Sequence, residues 1–296
     1  MQHIQILVYC IAGGVSLSLV AAGFNIIFNT TRVFHIAHGL FFVLPVYLAL
    51  QFNHLLIRAV PDFSWVLSII FSLIICSLVV WLIEAVLYLP LNRSKANPVI
   101  SLITSLGVYI VFTNLLIFFF GTDSVSLNTN NSIVYRSHDV QITTVDALQI
   151  GVGLALLSIF GLFSRTKGYL YMKAVSDDYS VAERFGLNIA HIRIASLLIG
   201  TVLVASAGFI KAYGAAIEPN SGLPVVVMAA VAVIAGGVRS LKGTFLICFL
   251  VAVIQNYSVL FLPLQWTECL VYLLLLIVLL IFNRGLISIN QRVEQL

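Results

Sequence analysis

Lys173, Asp177, Asp178, Glu183 and Arg184 crowd into one stretch, KAVSDDYSVAERFGLN, of a 296-residue chain in which 61% of residues are hydrophobic and only 9% charged. Carboxylates beside cations can do acid–base chemistry, or they can meet a basic groove on another protein. The first use needs a nucleophile, a metal or a substrate pocket, and no Ser/His/Asp set or metal-ligand spacing accompanies these residues. The second needs only a helix to present them. At 100° per residue, Val175, Tyr179, Ala182 and Gly186 form one stripe of a helix over 175–186. Asp177, Ser180, Glu183 and Arg184 fall on the other side. Asp177 and Asp178 suit the positive end of its dipole. Alternatively, Ser180 and Glu183 make a capping box and the helix starts later. Gly186 and Asn188 supply the stop. Helices that lie along headgroups are rich in Lys and Arg and carry bulky apolar residues. The acidic face and small-residue stripe here predict a protein partner instead, whose groove takes the Ala182 stripe and whose basic rim meets the carboxylates.

Other polar residues stand inside apolar runs, where they are costly and mark functional sites by default. His35 and His38 lie near Asn29 and Arg32. Either they serve a pathway, or each bonds a neighbouring helix backbone. No third ligand stands at helical spacing, so a metal site is not expected. Glu84, one turn before Tyr88, either pairs with Arg93 or lines an inner gate. GGVRSLKGT, residues 236–244, comes nearest to a phosphate loop. Its Lys242 follows Leu241 rather than glycine, so the G-x-x-x-x-G-K-[ST] spacing is missing. The chain is therefore expected to bind no ATP and to be no enzyme. Cys10, Cys76, Cys248 and Cys269 lie in or beside apolar runs and read as packing residues.

The elements that must position these residues follow from hydropathy. A mean hydropathy of +1.09 excludes an ordinary soluble domain. In lipid every backbone polar group must be satisfied internally, so the choice is helices or a closed barrel. The apolar runs are too long for barrel strands and lack two-residue alternation. The expected spans are 4–28, 34–52, 63–87, 98–120, 147–163, 190–212, 223–238, 243–262 and 266–282, nine in all with a range of eight to ten. The run at the N-terminus has no Lys/Arg cluster before it and no clear small-residue cleavage site, so it reads as a retained first helix.

With nine spans, Arg32, Arg93 with Lys95, the 164–193 segment, Arg239 with Lys242, and Arg284 with Arg292 all fall on one side. The net charge of +4 is thus an orientation signal, not a nucleic-acid signal. It predicts a cytoplasmic C-terminus and an external N-terminus. The loop 121–146 reads as external and irregular, a connector or a docking surface. Gly13-Gly14, the Ala205–Gly208 run and Gly236-Gly237 permit close helix approach, either for packing alone or to leave helix ends facing a cavity.

Four stretches carry a family resemblance. Ala174, Asp177, Ala182, Gly186 and Leu187 match the pattern A-x-x-x-D-x-x-x-x-A-x-x-x-G-[IL]; GFNIIFNTTRVFHIAHGL carries Ala37, His38 and Gly39; IEPNSG makes an I-x-P-x-x-G turn; and IAGGVRSLKGT keeps Gly236, Gly237, Ser240 and Gly243. Their order and spacing resemble the branched-chain amino-acid (LivH-type) permease subunits of ATP-binding-cassette importers over nearly the whole chain. The sequence departs from that pattern at Leu40, Ala85, Arg239 and Lys242.

The resemblance implies an all-helical bundle of the bacterial inner membrane with two inverted halves, a single permease domain over 1–296 with a cytoplasmic coupling segment at 164–193. It implies coupling to separate ATPase subunits through Ala174, Asp177, Asp178, Ala182, Glu183 and Gly186. It implies a pathway or gate near Asn29, His38, Gly39, Glu84, Gly236, Gly237 and Ser240. The implied partners are the ATP-binding subunits, a second permease subunit of the same or a different kind, an extracytoplasmic binding protein and lipid. ATP, the one cofactor of such a complex, would sit on the partner subunits. Branched-chain amino acids, other hydrophobic amino acids, small amides and urea all remain open as substrates. The alternatives are a stand-alone ion-driven transporter, with Glu84 as its main buried acid, and a scaffold without transport.

Overall fold

In the computed structural model, which describes residues 2–93, 97–127, 134–137 and 140–281, each expected apolar run falls mainly on a helix, although the 34–52 run starts outside one, with 34–35 irregular and 36–39 a 3-10 turn. The order is α1 (Gln2–Thr31), a 3-10 turn (Ile36–Gly39), α2 (Leu40–Leu56), α3 (Ser64–Ile83), a π-helical turn (Glu84–Tyr88), α4 (Leu89–Arg93) and α5 (Pro98–Phe120). Strands β1 (Val134–Ser137) and β2 (Val140–Thr143) follow, then α6 (Thr144–Phe163), α7 (Lys167–Asp177), α8 (Tyr179–Arg184) and α9 (Ile189–Gly214). A second 3-10 turn (Pro219–Ser221), α10 (Gly222–Gly236), α11 (Leu241–Ser258) and α12 (Leu264–Ile281) complete the chain. Among the described residues, eight helices are long and apolar enough to cross a membrane: α1, α2, α3 continued through the π turn, α5, α6, α9, α10 and α11. The apolar 18-residue α12 occupies the ninth expected run. Lys95, Asp139, Arg284 and Arg292 lie outside the described residues.

Helices α1, α2, α9 and α10 form the buried centre, while α3, α5 and α6 leave most of their surface to the surroundings. Close approach at the centre is made by glycine. A Cβ on Gly23 of α1 would meet the Gly200 carbonyl of α9, and a Cβ on Gly200 would meet the Gly23 carbonyl. Gly39 and Gly222 exclude a side chain against each other in the same reciprocal way. Contacts of this kind mark a pseudo-twofold axis. It relates α1, the first 3-10 turn, α2 and α3 to α9, the second 3-10 turn, α10 and α11. Under that exchange α1 against α10 corresponds to α9 against α2, and α1 against α11 to α9 against α3, and all four packings are present. Helices α1 and α9 run antiparallel, since Val15 and Ile210 meet at Gly153 while Ile27 reaches Gly200. The halves are therefore inverted.

Three sequence readings need correction. The 121–146 loop is not wholly irregular: β1 and β2 pair antiparallel, Val134 with Thr143 through Ser137 with Val140, and Val125 bridges Ile217. Valine, tyrosine and isoleucine favour that pairing. The polar segment is two helices rather than one over 175–186. Asp178, at φ −151° and ψ 117°, ends α7 and caps α8. Asn188 does not stop a helix but starts one, accepting from the His191 N–H at 3.2 Å to cap α9. His191 and Arg193 consequently lie inside α9.

The π turn has a local cause. Pro90 has no N–H to give the carbonyl four residues back, and its ring crowds that turn. The wider turn over Glu84–Tyr88 absorbs the misfit just before it.

Candidate functional site

The sequence brings most of its polar chemistry to one end of the bundle, where the last turn of α1, helices α7 and α8, the start of α9 and the α10–α11 turn converge. Helix ends leave carbonyls without partners, and here two ends satisfy each other. Arg32 donates through Nη2 to the Ser176 carbonyl in the last turn of α7. The Tyr179 hydroxyl of α8 donates to the Thr30 carbonyl in the last turn of α1. Arg32 takes a positive φ of 57° to turn the chain there.

Asn29 and Ser240, both expected near the pathway, meet at this end. Asn25 and Asn29 each donate through Nδ2 to the Val238 carbonyl, at 2.8 and 2.9 Å, and Asn29 Nδ2 also reaches Asn25 Oδ1 at 2.9 Å. Ser176 donates to Asn29 Oδ1 at 3.4 Å. Ser240 caps α11 by accepting from the Gly243 N–H at 3.1 Å. Arg239 lies 3.4 Å from Asp177, with both side chains part-exposed. Together these residues rim a cleft of about 440 Å³ that also admits Lys173, Tyr169, Met172 and Lys242. The departures at Arg239 and Lys242 thus add cations to the mouth of one cleft. Gly236 and Gly237 do not line it. Gly236 packs on the backbone of Gly243, and Gly237, at φ 96°, makes the turn between α10 and α11. Gly236 thus serves close approach and Gly237 the turn.

The stripe that was to enter a partner's groove faces the protein itself. Val175 and Ala182 are buried, and the Tyr179 hydroxyl is held by α1. What α8 presents outward is Val181, Glu183, Arg184 and Phe185, the last 83% exposed. The reversal follows from composition: a small-residue stripe lets α8 sit close on α9, and the bulky Phe185 is left outside. Asp178 serves α8 as its cap, accepting from the Ser180 and Val181 N–H groups at 2.8 and 3.1 Å. The Ser180 hydroxyl and those amides hold its carboxyl below the usual carboxylate range. Gly186, at φ 80°, closes α8, with the Leu187 N–H returning to the Ala182 carbonyl.

Glu84 does face the interior, and its partner is Arg193. The Arg193 Nε donates to Glu84 Oε1 at 2.9 Å, with both side chains about 2% exposed or less. The sequence reading put Arg193 where the 164–193 segment enters the 190–212 run and gave it no partner. A single arginine at i+5 from the α9 cap carries no local sign of burial; only its distance from the polar stretch and the apolar run that follows hint at it. Arg193 Nη1 also reaches the Tyr179 hydroxyl at 3.4 Å.

His35 and His38 are buried side by side, with ring centroids 6.4 Å apart, and His35 packs 5.1 Å from Tyr88. His38 Nε2 borders Gly23 at the α1–α9 crossing. The His38 ring nitrogens have no hydrogen-bond partner among the described residues. Among the described residues no group of three or more His, Cys, Asp or Glu could hold a metal ion. At the opposite end, Tyr47 donates to the Asp123 carbonyl at 2.9 Å, and the Leu127 N–H to the Ala212 carbonyl, which ties the 121–127 loop across the bundle.

Comparison with known proteins agrees with this arrangement. The family described as the branched-chain amino acid transport system permease component matches residues 6–280. The chain is 26% identical over 286 residues to the high-affinity branched-chain amino acid transport system permease protein LivH of Salmonella typhimurium, covering 93% of this chain and 92% of the relative. It is 25% identical to the LivH protein of Escherichia coli K12 over the same shares. It is 25% identical to BraD of Pseudomonas aeruginosa over 97% and 96%. No solved structure matches it.

Proposed function

The chain belongs to the branched-chain amino acid transport system permease family, and from that premise we propose that it is the membrane-spanning subunit of an importer for branched-chain or similar small amino acids. The family is one of transport permeases, and the bundle is that of a multi-pass membrane protein. In this reading the chain carries no catalysis of its own. ATP is bound by separate subunits, a binding protein delivers substrate from outside, and a second permease subunit completes the pathway in the inner membrane. Helices α7 and α8 face the cytoplasm, as does the C-terminus, because Arg32, Lys173, Arg184, Arg239 and Lys242 gather at that end.

The observation that carries the reading is how α8 is mounted. It is held by hydrogen bonds to the ends of membrane helices on one side and presents Val181, Glu183, Arg184 and Phe185 on the other. A rigidly seated helix with an exposed apolar tip is a docking element for a partner with a groove. The coupling contacts are therefore Phe185, Val181, Asp178 and Glu183, with Ala174, Ala182 and Gly186 shaping the helix behind them.

The test is assembly and transport. Phe185→Arg combined with Val181→Asp is expected to abolish co-purification of the ATPase subunits while leaving the permease folded. Ala182→Arg would instead disturb the permease itself, because Ala182 is buried. If the purified chain alone drove amino-acid uptake in liposomes from an ion gradient, the importer reading would be wrong and the ion-driven alternative right.

A further inference from the structure

The geometry points to Arg193 as a positioning residue: through it a displacement of Tyr179 in α8 reaches the π-helical turn Glu84–Tyr88 and, beyond it, the helix break at His35–Gly39. The inference rests on the importer reading above and adds how the stroke leaves α8.

The chain of contacts is continuous. The Tyr179 hydroxyl bonds two elements at once, donating to the Thr30 carbonyl of α1 and accepting from Arg193 Nη1 at 3.4 Å. Arg193 is the largest fully buried side chain among the described residues, and its Nε holds Glu84 Oε1 at 2.9 Å. Glu84 opens the π turn and Tyr88 closes it, and Tyr88 packs on His35. One hydroxyl on α8 thus reaches three membrane helices, α1, α9 and α3.

Stability alone does not account for the arrangement. Taking two charges out of water costs more than their attraction commonly returns, and an apolar pair of similar size is often as stable. Buried polar atoms nearly always have partners, yet among the described residues Arg193 Nη2 and both ring nitrogens of His38 have none. Those atoms are provided for a second arrangement in which Arg193 has moved and its bonds are redistributed. A π turn can take up such a shift, because its hydrogen-bond register is already interrupted. Packed cores respond in discrete steps rather than by continuous deformation, so the guanidinium fork acts as a strut with two seats.

The experiment uses the whole importer, with ATPase subunits, both permease positions and binding protein, in proteoliposomes. Two variants are compared with the wild type: Tyr179→Phe, which removes only the hydroxyl, and the double replacement Glu84→Met with Arg193→Met, which keeps the site filled without charge. Both are expected to assemble and to hydrolyse ATP near the wild-type rate. The amino acid moved per ATP should fall about tenfold, within the usual span of coupling between sites. ATP binding should also no longer alter amide exchange over residues 84–88. Wild-type transport per ATP in Tyr179→Phe would overturn the inference. So would transport and hydrolysis falling in proportion. Should the double replacement fail to assemble, Tyr179→Phe decides the matter alone. If even the wild-type chain neither recruits ATPase subunits nor transports with them, it is the importer reading that fails.

Discussion

The chain interrupts its helices twice at corresponding places in its inverted halves, and the two interruptions are built differently. At Pro219–Ser221 the break carries its own cap, and α5 holds it as well: the Tyr109 hydroxyl accepts from the Leu223 N–H at 3.1 Å and donates to the Asn220 carbonyl at 3.5 Å. Glu218 and Ser221 cap each other's backbone, with Ser221 Oγ accepting from the Glu218 N–H at 3.1 Å. At Ile36–Gly39 no side chain of the segment caps it. The Ala37 N–H is held from outside, by Ser105 of α5 at 2.9 Å, and the buried His35 and His38 fill the rest. A self-capped break keeps part of its support when its neighbours move. A break without a cap of its own changes when the helix that holds it moves. The difference predicts that the first break, which has no cap of its own, is the more easily displaced, and it is the first half that the Glu84–Arg193 strut reaches.

The sharpest way to break the comparison is to test its symmetry at the glycines. Gly39→Ala and Gly222→Ala each drive a methyl into the other's backbone, and each should cost about 3 kcal/mol, read as a lower melting temperature in detergent. Equal losses support equivalent crossings; a loss at only one would dissolve the pairing. Gly151→Ala meets open space and should leave melting unchanged or raise it.

Next in size is the outside support of the first break. Ser105→Ala strands the buried Ala37 N–H and should cost about 2 kcal/mol, with faster amide exchange confined to residues 35–39. Ser221→Ala should cost only about 1 kcal/mol, the worth of a cap. If the order were reversed, the second break would be the dependent one.

The smallest effect belongs to Asp178. Its carboxyl is held below the ordinary value, chiefly by the Ser180 hydroxyl. The sign is that of a depressed acid. The support it gives α8 is complete above the free carboxylate value of about 3.9, and it is lost as pH falls through the lowered one. Amide exchange at Ser180 and Val181 should stay slow at neutral pH and quicken only in strong acid. Asp178→Ala should show the acid behaviour at neutral pH.

How much of this was readable in advance differs between residues. Lipid forces each backbone to satisfy itself locally, so run length alone located the helices, and the loop cations separated the two ends of the bundle. The motif around Ala37, His38 and Gly39 and the one ending at Gly186 and Leu187 were enough for the family. The Gly186 stop and the polar, two-sided character of 175–186 were also local, hence visible. The break at Asp178 was not, because a lone aspartate can cap a helix or ride in its first turn, and its neighbours decide which.

The sequence by itself determined that this is a helical membrane permease with a charged segment between spans, since hydropathy, charge placement and glycine spacing act within a few turns of chain. Only the tertiary structure decided that Glu84 pairs with Arg193 across 109 positions, that the Ala182 stripe turns inward, and that Gly39 meets Gly222. Those choices depend on which surfaces remain after the helices pack. An ion pair or a stripe of small residues has many permissible partners in one dimension and a single one in three.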